Sequence, residues 1–261
     1  MKSAKARFSL LLAVVLAVAF AGGGLGSLVL AKNARAESGS NSVVGYDAVY
    51  SSDNPIPEIA ANVRGNVENL LQSAAALTDA AALALQPAAP AQSGDDSRAL
   101  AFMKAVLDQN PDLMSAYIGF NDGAFLQVIS VRGDRRLLET YRAPARTSHI
   151  ERIIARANGE RRQLWRFLDK EGTALLVRED QNPQYDPRER VWFKDAGAAT
   201  RSVFTAPYVF SSSRLPGVTC ARLLADGRGV FGVDLSLAQL GGVLERQKVS
   251  PHGTVWLVDQ D

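Results

Sequence analysis

The strongest constraint on this chain is an uncharged run of 24 residues near its start. It extends from Phe8 to Ala31, is dominated by Leu, Val and Ala, and follows Lys2, Lys5 and Arg7. A bilayer core takes about 20 apolar residues as a helix, so the run is long enough to span a membrane with some tilt. A cleaved secretory leader is the other reading. Its apolar region usually has ~7–15 residues, which Phe8–Phe20 supplies, and Ala34-Arg35-Ala36 has the small-residue pattern of a cleavage site. The Gly22-Gly23-Gly24 cluster breaks the run, yet apolarity resumes through Leu25–Leu30, and that length favours an uncleaved anchor. Both readings export the remainder. The basic residues before the run, against Lys32 and Arg35 after it, favour a cytoplasmic N-terminus. The expected location is the inner membrane, crossed by a single helix over residues 8–31, with the rest in the periplasm.

Charge and composition then exclude several chemistries. The formal net charge is +2, and removing Lys2, Lys5 and Arg7 leaves the exported part near −1. That balance argues against nucleic acid as a partner. One cysteine, Cys220, allows no internal disulfide, and two histidines, His149 and His252, leave little for a metal site or a His-based triad. No cofactor is expected. Cys220 reads as a buried small hydrophobe, Trp165 and Trp256 as packing residues, and His252 as a loop residue.

Residues 1–36 form tip, anchor and flank, and residues 37–54 are a Ser/Asn/Asp/Gly linker. From Pro57, apolar residues recur at helical spacing through Ile59, Val63, Leu70, Ala74 and Leu77, and an Ala-rich run continues to Leu85. A second helix is expected from about Ser97 to Gln109, stopped by Asn110-Pro111. Beyond Pro111 the period changes. Ser115–Phe120 and Ala124–Val131 flank Asn121-Asp122-Gly123, a strong hairpin signal. Gln163–Leu168 and Ala174–Arg178 form a second hairpin, and Ser202–Phe210, Gly217–Leu224 and Gly229–Leu235 read as further strands. Ser236 and Gln239 make a capping box for a helix to about Gln247. Gly253–Val258 begins a strand with no hairpin partner after it. The fold class is α+β, with helices first and then an antiparallel sheet.

The richest local signal is Tyr185-Asp186-Pro187-Arg188-Glu189-Arg190-Val191-Trp192-Phe193. Asp186 suits an N-cap, Pro187 the first helical position, and Glu189 lies three beyond the cap. A well-capped short helix accounts for those three residues but not for Arg190 set among aromatics. A planar guanidinium binds both oxygens of a carboxylate, and flanking rings exclude water, so Arg190 is a candidate carboxylate receptor. Surface stacking of Arg on aromatic rings is the alternative.

This segment resembles the signature of double Cache sensor domains, the extracytoplasmic ligand-binding modules of bacterial chemoreceptors, histidine kinases and cyclases. The likeness continues through Ala206-Pro207-Tyr208-Val209-Phe210 and Gly232-Val233-Asp234-Leu235-Ser236-Leu237. It covers the chain from about Val43 onward. Pro207–Ser213, Leu215–Thr219 and Gln247–Pro251 are similar to sensor regions of membrane adenylate/guanylate cyclases. The resemblance implies a PAS-like distal lobe over residues 55–247, a membrane-proximal lobe that only begins at 248–261, and an output domain beyond the chain. It also implies work as a homodimer.

Many members of the family bind amino acids. Tyr185, Arg190 and Trp192 match the positions that clamp the ligand carboxylate, Asp234 the acid that receives the ammonium, and Tyr208 an accessory aromatic. Phe193 stands where the amino-acid motif has Tyr, and Phe210 where such receptors often carry Asp. A hydrogen bond to a charged group is worth about 1.5–3 kcal/mol, so the two departures bear on ligand class. Asp234 has a second reading as a cap for the helix near Ser236, although Ser236 with Gln239 already supplies that cap. The expected function is small-molecule sensing of an amino acid or another carboxylate, not catalysis. A cleaved periplasmic binding protein is the alternative. An exported enzyme is the other, although the chain has no GxSxG, HExxH or Gly-rich phosphate loop.

Overall fold

The structure, a computed structural model, describes residues 12–19, 25–29, 56–85, 96–157, 160–181, 183–238 and 253–259. The chain divides into two compact units, Met1–Glu68 with Gly241–Asp261, and Asn69–Leu240.

In the first unit the apolar run does not form the expected membrane helix. It forms two strands, β1 (Leu12–Ala19) and β2 (Leu25–Val29). Val14, Val15 and Val18 favour extended backbone, and the Gly22-Gly23-Gly24 cluster between the strands disfavours a continuous helix. β1 pairs antiparallel with β2 and, along its other edge, with the last strand of the chain, β12 (Gly253–Asp259). That C-terminal strand therefore finds its partner at the opposite end of the sequence. Among the described residues no helix is long and apolar enough to cross a membrane. Helix α1 (Ile56–Ala84) starts in this unit, with Pro57 in its first turn, and runs on into the second.

The second unit sets helices against an antiparallel sheet, as the change of period at Pro111 implies. Helix α2 (Asp96–Gln109) ends where Asn110-Pro111 stops it, and Asn110 Nδ2 donates back to Val106 O at 2.7 Å. There follow β3 (Ser115–Phe120), β4 (Phe125–Ser130), α3 (Arg135–Tyr141), β5 (His149–Ala157), β6 (Glu160–Leu168) and β7 (Ala174–Gln181). A 3-10 turn at Pro187–Glu189 leads into α4 (Val191–Gly197), then β8 (Val203–Phe204), β9 (Tyr208–Val209), β10 (Pro216–Leu223) and β11 (Gly229–Ser236). The sheet order is β7-β6-β5-β4-β3-β11-β10-β8, with β9 on β10. The expected strand over Ser202–Phe210 is thus two short pieces, because Pro207 has no amide hydrogen for a ladder. The helix expected beyond residue 238 lies outside the described residues.

The β3–β4 turn follows its sequence signal. Gly123 has φ +86°, Gly123 N donates to Phe120 O at 2.9 Å, and Asp122 Oδ1 accepts from Ala124 N at 2.9 Å. Every residue of β3, β4 and β11 is buried, so both faces of the central strands are covered. Ala116, Ile118, Phe120, Val233 and Leu235 pack with Leu100, Met103 and Leu107 of α2 and with Ala74, Ala81 and Ala82 of α1. By the two-residue alternation of strands, Ser115, Tyr117 and Asp234 project to the opposite face. There Tyr117, Phe125 and Trp192 form a second, aromatic cluster.

Candidate ligand-binding site

The register of the sheet gathers the polar groups on this second face. Directly paired residues of antiparallel strands share a face, and the pairing aligns Gly232, Tyr117, Gln127, Arg152 and Trp165 across β11, β3, β4, β5 and β6. An adjacent row aligns Thr219, Asp234 and Ser115 on β10, β11 and β3. The segment from Tyr185 into α4 lies over these rows. Asp186 caps the 3-10 turn as its position in the sequence implies, accepting from Arg188 N at 2.9 Å. Its carboxylate also takes the Arg188 side chain, with Nη2 at 2.6 Å.

Two glycines make room for the rings. A Cβ on Gly119 would stand 2.6 Å from the Trp192 ring, and one on Gly217 would stand 2.3 Å from the Phe210 ring. Trp192 is 2% exposed, its ring centroid 4.8 Å from that of Tyr117.

Between sheet and overlying segment lies a narrow open cavity of about 20 Å³. Tyr117, Gln127, Arg152 and Asp234 line it from the sheet, Tyr185, Arg190 and Trp192 from the α4 region, and Tyr208 and Phe210–Ser212 from the β9 region. Of the six residues singled out in the sequence, Tyr185, Arg190, Trp192, Tyr208 and Asp234 thus border one cavity. Phe193 does not. Its ring packs edge-on against Trp192 at 5.6 Å, because the next position on α4 turns away from the residue before it. The missing hydroxyl at Phe193 therefore takes nothing from this cavity.

Asp234 is 4% exposed and sits in a hydroxyl cage. Oδ1 accepts from Tyr117 Oη at 2.7 Å and Thr219 Oγ1 at 2.6 Å, and Oδ2 accepts from Ser115 Oγ at 2.7 Å. Tyr208 Oη joins the cage through Thr219 Oγ1 at 2.7 Å. Burial pushes the carboxyl up from an ordinary 3.8 to about 6, with the hydroxyl bonds pulling the other way. Of its two readings, the hydroxyl cage commits the Asp234 carboxylate to the cavity face. Burial, and the negative charge of Asp234, raise Tyr208 above the ordinary phenol value, so at neutral pH it remains a proton donor.

Arg152 is the residue the sequence reading missed. It is 6% exposed, and its guanidinium carbon lies 4.4 Å from the Tyr185 ring centre, 4.9 Å from that of Trp165 and 5.6 Å from that of Phe125. Nε donates to Gln163 Oε1 at 2.7 Å, and Gln163 Nε2 is in turn held by Asp180 Oδ2 at 2.8 Å. Burial pulls its pKa below the usual arginine value, but a guanidinium stays charged in a protein. The available signal was a lone cation in the Ile-rich run Ile150–Ile154. Gln127 was also missed. Its Oε1 is buried and has no hydrogen-bond partner among the described residues. Arg190 Cζ lies 5.9 Å from the Tyr185 ring centre, so one tyrosine ring is flanked by both cavity arginines.

No protein-family model matches the chain. It is 33% identical over 92 residues to the methyl-accepting chemotaxis protein McpB of Bacillus subtilis, a match covering 34% of this chain and 14% of that one. It is 23% identical over 163 residues to adenylate cyclase 1 of Rhizobium meliloti, covering 61% and 24%. The chain thus matches less than a quarter of the length of either relative. Among solved structures, the sensory domain of the Campylobacter jejuni chemoreceptor Tlp3 with isoleucine bound aligns with a TM-score of 0.46 and 13% identity, over 72% of this chain and 60% of that one. Chemotaxis receptors and an adenylate cyclase are two of the classes that the Tyr185–Leu237 resemblance names.

Proposed function

We propose that the chain is the sensing region of a membrane-attached signalling receptor of the Cache class, and that the cavity binds a small carboxylate-bearing metabolite, an amino acid foremost. The observation that carries this reading is the pairing of charges within one small cavity: Arg152 and Arg190 among aromatic rings, and Asp234 in its hydroxyl cage. A zwitterion offers the complement to both. Its carboxylate takes the planar fork of an arginine, and its ammonium meets Asp234 and the free acceptor Gln127 Oε1.

The role is binding and transmission. Ligand closing the cavity biases a two-state equilibrium, and α1, running from the first unit into the second, is the element placed to carry that bias. Attachment to the membrane rests on the uncharged run of residues 8–31. In lipid, backbone polar groups must pair within the spanning segment, which a helix achieves and an open three-stranded sheet does not, so the bilayer favours the helix over the strands β1 and β2.

Thermal-shift screening of the full chain in detergent, against amino acids and small carboxylates, tests the site. A stabilising ligand whose effect disappears in Arg190→Ala is the expected result. A ligand whose effect survives that substitution removes Arg190 from the site and overturns the reading.

A further inference from the structure

We propose that the ligand carries a second acidic group and that Arg152 reads it, so that the site selects an acidic amino acid over its amide counterpart. This rests on the reading above and narrows it. The argument is one of charge. The cavity holds two guanidinium groups and one carboxylate. A neutral amino acid brings one carboxylate and one ammonium, and would leave one buried arginine uncompensated. An acidic amino acid brings two carboxylates and one ammonium, and matches all three.

No carboxylate among the described residues pairs directly with Arg152, and Asp180 acts on it only at a distance. The Arg152 Nε is taken by the neutral Gln163 Oε1. The carboxylate nearby, Asp180, is engaged by Gln163 Nε2 at 2.8 Å and Trp165 Nε1 at 3.1 Å instead. A buried cation held by an amide and three rings, and facing a cavity, is the arrangement that an incoming anion completes. The rings fix the plane of the guanidinium and exclude water from its faces, which favours two-pronged carboxylate binding.

The geometry also separates the two ends of the ligand. Arg152 on β5 and Asp234 on β11 stand three strand spacings apart, roughly 14 Å between backbones. The unpartnered Gln127 Oε1 lies on β4 between them. Asp234 with Gln127 therefore holds the ammonium, Arg190 the adjacent carboxylate, and Arg152 the far one.

Calorimetric titration of the full chain in detergent with L-glutamate against L-glutamine, and L-aspartate against L-asparagine, tests this. Each pair has the same shape and differs by one charge. The acid is expected to bind at least tenfold more tightly than its amide in one of the pairs, the scale of a single charge-assisted hydrogen bond. In Arg152→Gln that ratio falls to one or below, Arg152→Lys restores part of it, and Arg190→Gln weakens acid and amide in parallel with the ratio kept. An amide that binds the native protein as tightly as its acid overturns the inference and leaves the amino-acid reading standing. Parallel losses for acid and amide in Arg152→Gln also overturn it, since Arg152 then serves only as packing. If none of the four probes binds, this inference falls, and the amino-acid reading is decided by the thermal-shift screen. Should Arg152→Gln fail to fold, the ratio measured on the native protein decides alone.

Discussion

Replacing Asp234 with Asn should stabilise the ligand-free protein near neutral pH relative to acid pH. The carboxyl is buried, and its pKa rises from 3.8 to about 6. A raised carboxyl contributes its full stability below the unfolded value, and loses it as pH climbs through the folded value. At ~1.4 kcal/mol for each pH decade, the ionised Asp234 costs about 3 kcal/mol of stability at pH 7.5. At pH 4.5 the same linkage takes away only about 1 kcal/mol. Asn has nearly the same shape and does not titrate. Whatever it loses in rearranging the bonds from Tyr117, Thr219 and Ser115 is common to both conditions. The stability of Asp234→Asn relative to the native protein is therefore expected to move by about 2 kcal/mol in the variant's favour between pH 4.5 and pH 7.5. Urea unfolding of both proteins without ligand at the two pH values, followed by tryptophan fluorescence, reads this difference, and groups common to both proteins cancel. A relative stability that does not change with pH, or that moves the other way, would refute the account of Asp234 as a desolvated acid awaiting a cation.

Three further expectations concern single residues. Ligand affinity should fall about tenfold between pH 7.5 and pH 5 for an amine-bearing ligand, since only the ionised Asp234 receives an ammonium and its pKa is about 6; titration of one ligand across that range checks it, and a flat profile counts against Asp234 as the acceptor. Gly217→Ala places a methyl 2.3 Å from Phe210 Cζ and 2.5 Å from Leu235 O, and the backbone oxygen cannot swing aside; a loss of about 1–3 kcal/mol in thermal unfolding is expected. Gly65→Ala in α1 meets nothing within 4 Å and should stabilise by about 0.5–1 kcal/mol, which makes it the control.

How much of this was legible in the sequence depended on whether the signal was local. The Asn121-Asp122-Gly123 turn, the cap at Asp186 and the stop at Asn110-Pro111 are written in adjacent residues, and each appears where expected. Strand β5 was missed because both faces of it carry useful residues. Ile150, Arg152 and Ile154 share the cavity-side face, and Glu151 and Ile153 the other, with Ile153 packed on the helix-side core, so each face mixes charge with apolar residues and no clean polar–apolar alternation marks the strand. Arg152 itself becomes a site residue only through pairing with Gln127 and Trp165, which are distant in the chain and aligned by the sheet. Phe193 fails for the converse reason, since its neighbours Trp192 and Arg190 reach the cavity and the turn of α4 carries it elsewhere. The uncharged run at residues 8–31 gave length and apolarity, which a helix and a pair of strands share.

The most direct test of the central claim is a crystal structure of the sensing region with a stabilising amino acid bound. The account predicts a ligand carboxylate within ~3.2 Å of the Arg190 guanidinium and a ligand ammonium at hydrogen-bond distance from an Asp234 oxygen, both inside the cavity beneath Trp192. A ligand held elsewhere, or in the cavity with its ammonium turned away from Asp234, would contradict it.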